Sequence, residues 1–288
     1  MHIGISMSTI DHRHNTRNAA RGIAAGLQKR FNLTSIELVL EGVGRLMAPY
    51  PWEFEAAELD ELASFLAPFE RRGAHLPFFN LNVIAANERV REDAMEQLQS
   101  AIDIAKRLEL DYVVAHATGT TEGLATESEP RRQFLAFTRM AGFCEGSGLS
   151  LSVENAGNLH NIEQCGEMIR SLRADGLPVT MTFDTGHWNI NYAGQTNKGN
   201  ARPGTIADAI ESNIDIIDNI HLHNNDGTSD QHLGLENGTI DLASCIDRLK
   251  RLKYAGSLTI ETGDNVDDLS AEVALLKKWC EETDGKES

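Results

Sequence analysis

The chain has 288 residues, 41% hydrophobic and 24% charged, which is enough length and apolar content for a full buried core. Its formal net charge of -17, with a pI near 5.0, sets it against phosphate backbones and anionic lipid and so disfavours non-specific nucleic-acid or membrane-surface binding. No stretch is long and apolar enough to span a membrane, no basic leader precedes an apolar run, and Cys144, Cys165, Cys245 and Cys280 lie scattered without a C-x-x-C pair, so a cytoplasmic protein with reduced thiols is expected.

Only 7 prolines and no low-complexity linker interrupt the chain, and one domain over residues 1–288 is expected. The basic pairs Arg71/Arg72 and Arg131/Arg132, and K-R-L-K at 250–253, read as solvated helix faces.

Taken in order, short apolar runs alternate with longer stretches of helical period. Residues 2–6 (H-I-G-I-S) read as a strand, 17–30 as a helix, 36–41 (I-E-L-V-L-E) as a strand and 55–72 as a helix. A strand at 74–81 (A-H-L-P-F-F-N-L) then precedes a helix in which Val90, Ala94, Leu98, Ile102, Ala105 and Leu108 recur every three or four residues. Residues 111–116 precede a helix at 130–145 whose proline suits a first helical turn. Residues 149–154 precede 162–173, and 179–184 precede 205–213. The stretch I-D-N-I-H-L-H ending at His223 precedes 242–252, and 257–261 precede 270–280. Eight strands and eight helices in strict alternation imply parallel strands with right-handed crossovers. In a chain of this size that is an α/β protein with a closed (β/α)8 TIM barrel. An open doubly wound sheet fits less well, because neither G-x-G-x-x-G nor G-x-x-x-x-G-K-[ST] follows the first strand.

A barrel of this kind carries its chemistry at the C-terminal ends of its strands. The third strand region offers His75, the fourth ends at His116 and the fifth at Glu154. The sixth ends at Asp184 with His187 three residues on, the seventh at His223 with Asp230 and His232 beyond, and the eighth at Glu261. One such residue alone is more often a cap than a ligand. Six consecutive strands with the same habit point to a metal site at the barrel mouth. Imidazole and carboxylate are ligand types that Zn, Mn, Co and Fe share.

These motifs resemble the xylose-isomerase-like TIM-barrel superfamily, which includes sugar-phosphate isomerases/epimerases and endonuclease IV. The resemblance spans nearly the whole chain. It rests on S-V-E-N-A-G-N (152–158), F-D-T-G-H (183–187), the H-L-H-N-N-D-G…D-Q-H loop and L-T-I-E-T (258–262), with softer matches in A-H-L-P-F-F-N-L and V-V-A-H-A-T-G. In the isomerase/epimerase branch it implies one divalent metal (Mn, Mg, Co or Zn) on Glu154, Asp184, His223 and Glu261, with His221 pointing away into support and His187 touching substrate. In the endonuclease IV branch it implies up to three Zn on His75, His116, Glu154, Asp184, His187, His223, Asp230, His232 and Glu261. The chain departs from the ketose 3-epimerase pattern at His160, where a second Glu is usual. The familiar G-E-G of the seventh loop is E-N-G here (236–238), and the step from His223 to Asp230 is shorter than in the nuclease.

The activity this implies is isomerisation or epimerisation of a sugar or related polyhydroxy carbonyl compound, phosphorylated or not. Glu154 and Glu261 would trade protons through a metal-stabilised ene-diolate, and His187 would orient an oxygen. The alternative is endonuclease IV-like cleavage of abasic DNA by a multi-zinc cluster, for which the cationic candidates at the mouth are few: Arg45, Lys198 and Arg202. A barrel that binds metal or sugar without turnover is the non-enzymatic reading. The expected partner is a small sugar-like molecule rather than nucleic acid or membrane, and the sequence permits a homo-oligomer without specifying one. The Asn- and Gly-rich stretch 189–202 reads as a lid, a specificity loop or a plain connection.

Overall fold

The computed structural model describes residues 1–10, 17–41, 50–117, 129–157, 161–197, 204–263 and 268–282. Eight parallel strands close on themselves in sequence order: β1 (His2–Ser6), β2 (Ser35–Val39), β3 (Arg71–His75), β4 (Tyr112–Ala117), β5 (Ser150–Gly157), β6 (Val179–Asp184), β7 (Ile217–Leu222) and β8 (Ser257–Ile260). Around them run α1 (Arg17–Phe31), α2 (Ala56–Leu66), α3 (Glu88–Arg107), α4 (Glu129–Cys144), α5 (Ile162–Ala174), α6 (Thr185–Asn197), α7 (Ile206–Asn213), α8 (Leu242–Arg251) and α9 (Leu269–Glu281). This is the expected (β/α)8 barrel. No helix among the described residues is long and apolar enough to cross a membrane.

Two of the differences from the sequence reading bear on the site, beyond the helix expected over 55–72, which ends at Leu66. The third strand begins at Arg71, three residues before the expected start, and ends at His75. Pro77 has no N–H for a ladder, so the apolar run beyond His75 leaves the sheet and buries Leu76, Leu81, Val83 and Ile84 as connection instead. Arg71 is therefore no helix-face cation: it pairs with Asp218 and lies over the Tyr112 ring at 5.2 Å. The stretch expected to be loop from residue 189 is helical to Asn197, because α6 starts directly after β6, and residues 198–202 lie outside the described residues. Asp184 Oδ1 accepts the His187 N–H at 2.6 Å, the bond an N-cap makes, so F-D-T-G-H is a strand end, a cap and a first helical turn.

The strands alternate, with an unusual polarity. Hydrogen bonds across the barrel put Ser35, Glu37, Ser152, Thr182, Asn219, His221, Ser257 and Thr259 in its interior: Ser35 meets Ser257, Ser152 meets Thr182, Thr259 meets Asn219, and Glu37 meets both Asn219 and His221. The residues between them, Ile36, Leu38, Leu151, Val153, Met181, Phe183, Ile220, Leu222, Leu258 and Ile260, belong to the continuous apolar core that packs the helices on the barrel. Barrel interiors are ordinarily filled by branched apolar side chains. This interior is instead a hydrogen-bonded polar column that leads up to the C-terminal ends of the strands.

Candidate metal centre

The inward parity of four strands ends in ligand-type side chains. Ser152 is followed by Glu154, Thr182 by Asp184, Asn219 by His221 and then His223, and Thr259 by Glu261, each two residues on. His75 closes β3 and His116 sits near the end of β4. Asp184, His221 and His223 are fully buried and Glu154 is 1% exposed. Buried carboxylates at this density need cations. Among the described residues their charged partners are imidazoles, and no lysine or arginine pairs with them.

Glu154 stands at the junction of the cluster. Its Oε2 lies 3.1 Å from His116 Nε2, 3.6 Å from His75 Nε2 and 3.5 Å from His221 Nδ1, while its Oε1 lies 2.9 Å from His187 Nδ1. Three trios, each offering one ligand atom within 4.8 Å of the others, surround it: His75, His116 and Glu154; Glu154, Asp184 and His221; and His187, Asp230 and His232. A fourth joins Glu37, His221 and Glu261 below. All nine residues that the strand ends point to thus gather at one mouth, although His223 enters none of these trios.

The resemblance implies that His221 points away and that His223 holds the metal. His221 does not point away: its Nδ1 is 2.9 Å from Glu261 Oε2, 3.5 Å from Glu154 Oε2 and 3.9 Å from Asp184 Oδ2, and makes no directed hydrogen bond. A buried imidazole nitrogen without a directed hydrogen bond, facing three carboxylates, fits a divalent cation that would take the place of its proton. His223 lies one step above, with Nε2 3.1 Å from both oxygens of Asp184 and its ring stacked on His232 at 3.9 Å. Residues two apart on a strand share a face, so both histidines point inward and differ in height.

Several imidazoles are aimed from behind. His75 Nδ1 meets the Leu76 carbonyl at 2.8 Å, His232 Nδ1 meets the Glu261 carbonyl at 2.6 Å, and His221 Nε2 meets Glu37 Oε2 at 3.1 Å. An acceptor on one ring nitrogen fixes the tautomer and presents the other as a lone pair, the arrangement that metal-binding histidines use. Glu37 is the residue of this centre that the strand-end reading missed. It stands mid-strand in β2, and only its inward parity, shared with Ser35, marks it.

The titration of the cluster follows from its geometry. Burial alone would raise the Glu154 carboxyl, but the charge and hydrogen bonds of His116, with those of His187 and His75, hold it well below the ordinary range. Burial likewise opposes ionisation of Asp184 and Glu261, and His187 with His223 in the first case and His221 in the second overcome it. Burial lowers His116, whereas Asp184 and Asp230 outweigh burial to lift His187 well above its usual value. For His232, burial is overcome by Asp230 and Glu261, which lift it to about 9. His160, Arg45, Lys198 and Arg202 lie outside the described residues.

Fold and mouth together define a class, a (β/α)8 barrel that collects imidazoles and carboxylates at its C-terminal face. The chain belongs to the xylose isomerase-like TIM barrel family, whose model matches residues 27–279. A curated relative, the uncharacterized protein MJ1311 of Methanocaldococcus jannaschii, is 28% identical over 215 residues, covering 72% of this chain and 69% of the relative. Among solved structures, a D-tagatose 3-epimerase-like protein superposes with a TM-score of 0.77 at 23% identity, over 97% of both chains. An L-ribulose 3-epimerase gives 0.74 at 16% identity over 97% of this chain and 94% of that one. The IOLI protein, whose structure holds a zinc atom, gives 0.72 at 15% identity over 97% and 96%. At these identities the structures speak for the fold.

Proposed function

We propose that this protein is a divalent-metal-dependent isomerase or epimerase acting on a sugar or a related small polyhydroxy carbonyl compound. The observation that carries the reading is the approach of two carboxylates to one imidazole from different strands: Glu154 on β5 at 3.5 Å and Glu261 after β8 at 2.9 Å from His221 Nδ1. Asp184 joins the same centre at 3.9 Å. Glu154, Asp184, His221 and Glu261 would hold the cation, which supplies Lewis-acid polarisation of a carbonyl when bound. His223 braces Asp184 from above.

The chain's own groups supply the proton traffic. An ionised glutamate on one side takes a proton from the carbon beside a carbonyl, and the glutamate on the other side returns one that it has drawn from solvent, while the first releases its own to solvent in turn. His187, 13% exposed at the rim and in contact with Glu154, Asp184 and Asp230, is placed to orient or protonate a substrate oxygen. The kinship with 3-epimerase folds supports the reading.

A second reading, multi-zinc phosphodiester cleavage at abasic DNA, is favoured by one specific observation. His187, Asp230 and His232 form a trio of their own, as do His75, His116 and Glu154, so the mouth has ligand groups for more than one ion. Against it stands the net charge of -17, which repels a phosphate backbone.

The test measures deuterium wash-in from D2O at the carbon beside the carbonyl, over aldoses, ketoses and their phosphates, with Mn2+, Mg2+, Co2+ or Zn2+. Exchange in at least one sugar, abolished by chelator and by Glu261→Gln, is expected. No exchange across the panel, together with chelator-sensitive nicking of an abasic duplex and roughly three bound Zn per chain, would replace the first reading by the second.

A further inference from the structure

Glu37 is the one carboxylate of the cluster that neither reading uses. It is fully buried in mid-barrel, and its Oε2 accepts three hydrogen bonds: from Tyr112 Oη at 3.2 Å, from Asn219 Nδ2 at 3.1 Å and from His221 Nε2 at 3.1 Å. The surroundings are built to permit this. Tyr112 is fully buried and lies over Gly73, where an added Cβ would come within 2.2 Å of the tyrosine Cζ, so the phenol reaches Glu37 only because β3 has no side chain at that place. Tyr112 and Asn219 donate to it, and a carboxylate that already accepts from both receives from His221 Nε2 when that nitrogen carries the ring proton. No lysine or arginine pairs with it among the described residues.

A buried carboxylate costs several kcal/mol unless it is paired and hydrogen-bonded. A glutamine has the same shape, can bond the same three groups and carries no such desolvation cost. Packing alone therefore gives no reason for the charge. The chemistry of His221 gives one. A carboxylate on Nε2 holds the proton there and leaves Nδ1 as a lone pair, and it raises the basicity of the ring as a ligand. That lone pair is the one that faces Glu154, Asp184 and Glu261.

We propose that Glu37 is a positioning residue that fixes the tautomer and aim of His221 toward the cation, through an anion held in the barrel axis by Tyr112 and Asn219. This rests on the reading of His221 as a metal ligand. It predicts that charge at position 37, rather than shape, sets metal affinity. An amide there can turn its NH2 toward Nε2, which favours the tautomer whose Nδ1 is protonated and cannot bind.

The experiment titrates Zn2+ alone into metal-stripped wild type, Glu37→Gln, Glu37→Asp and His221→Ala, in competition with a chromophoric chelator. Histidine 15N–1H spectra of the Zn-loaded proteins and melting curves accompany it. His221→Ala identifies which equivalent of bound Zn2+ depends on that ring. For that equivalent, Glu37→Gln is expected to bind about 10- to 100-fold more weakly, the usual effect of losing the group behind a ligand. Glu37→Asp, which keeps the charge, is expected to retain more affinity than the amide. The hydrogen-bonded Nε2–H resonance of His221, shifted downfield in wild type, should move upfield in Glu37→Gln. A purely structural Glu37 would give the reverse order, because the shorter aspartate disturbs packing more than the isosteric amide; that order overturns the proposal. If His221→Ala loses one Zn2+ while Glu37→Gln binds within about twofold of wild type, the ligand reading stands and the positioning role falls. If His221→Ala binds like wild type, the ligand reading itself falls, and the proposal with it.

Discussion

Gly186 has no room for a side chain. A Cβ added there would lie 1.9 Å from Cε1 of His223, inside any attainable contact. That ring cannot retreat, because its Nε2 is bonded to Asp184 and its face stacks on His232. The Gly186→Ala change therefore forces either His223 or the first turn of α6 to move. Overpacking of this kind costs typically 1–3 kcal/mol, and here the displaced atoms are those that hold Asp184. The expected outcome is a modest drop in melting temperature with a disproportionate loss of metal affinity. A variant with wild-type metal affinity would show that His223 is dispensable to the centre. The same residues explain why F-D-T-G-H is a compact motif: Asp184 is a ligand-type carboxylate and the cap of α6 at once, and the glycine admits the neighbouring imidazole.

At the scale of elements, the segment from β7 to α8 is held by buried amides. Asn224 is fully buried; its Nδ2 donates to the carbonyls of Leu235 and Ile240 at 2.9 and 3.0 Å, and its Oδ1 accepts the Ile240 N–H at 3.0 Å. Asn225 donates to the Gly186 carbonyl and accepts from Asn189, which ties the same loop to α6. Gly238, the last residue of E-N-G, is required because a Cβ there would lie 2.1 Å from Asn224 Oδ1. Asn224→Ala strands two buried carbonyls and the N–H groups of Ile240 and Asn225, so a loss of at least about 2 kcal/mol is expected from urea unfolding. Metal affinity at the Glu154–Asp184–His221 centre, whose ligands this loop does not carry, should be kept; a matching loss of that affinity would mean that the Asn224 brace reaches the centre itself. Much of this was legible beforehand. Chemistry at strand ends exposes itself, because an apolar run that closes on Glu, Asp or His has few packing reasons to do so, and the alternation of strand and helix gives the barrel. Parity also carries information, since S-L-S-V-E, V-T-M-T-F-D, I-H-L-H and S-L-T-I-E all alternate with the ligand on the polar phase. Read strictly, it sends His221 inward with His223. Glu37 was not legible, because in a barrel strand buried on both faces I-E-L-V-L-E shows nothing that tells a functional carboxylate from a capping one. The start of β3 was hidden for the opposite reason: Arg71 looks like surface until Asp218 and Tyr112 arrive from stretches far off in the sequence.

On the scale of the whole molecule, a chain of net charge -17 concentrates Glu37, Glu154, Asp184, Asp230 and Glu261 around one axis. Without a metal, imidazolium is what offsets them, and that ties stability to pH with a definite sign. His232 is lifted to about 9 by Asp230 and Glu261 against its burial, and His187 and His221 are lifted well above their usual value. A group whose folded value exceeds its unfolded one stabilises fully below the unfolded value, near 6.5, and loses that contribution as pH climbs through the folded value. For His232 the window is therefore about 6.5 to 9, and the stake is on the order of 3 kcal/mol, shared with Asp230. Metal binding runs the other way, because an imidazole must shed its proton before it can ligate, so affinity rises with pH over the same window. Metal-stripped protein should melt at progressively lower temperature from pH 6.5 to 9, while protein held at one fixed free Zn2+ concentration, about 100 times the dissociation constant at pH 6.5, gains about 2.7 kcal/mol there, or roughly 5 °C, and more as the affinity rises with pH. The gap between the two melting curves should widen with pH. A gap that stays constant or narrows would mean that the histidines of the mouth do not exchange protons for metal, and would remove the physical basis for placing a cation among them.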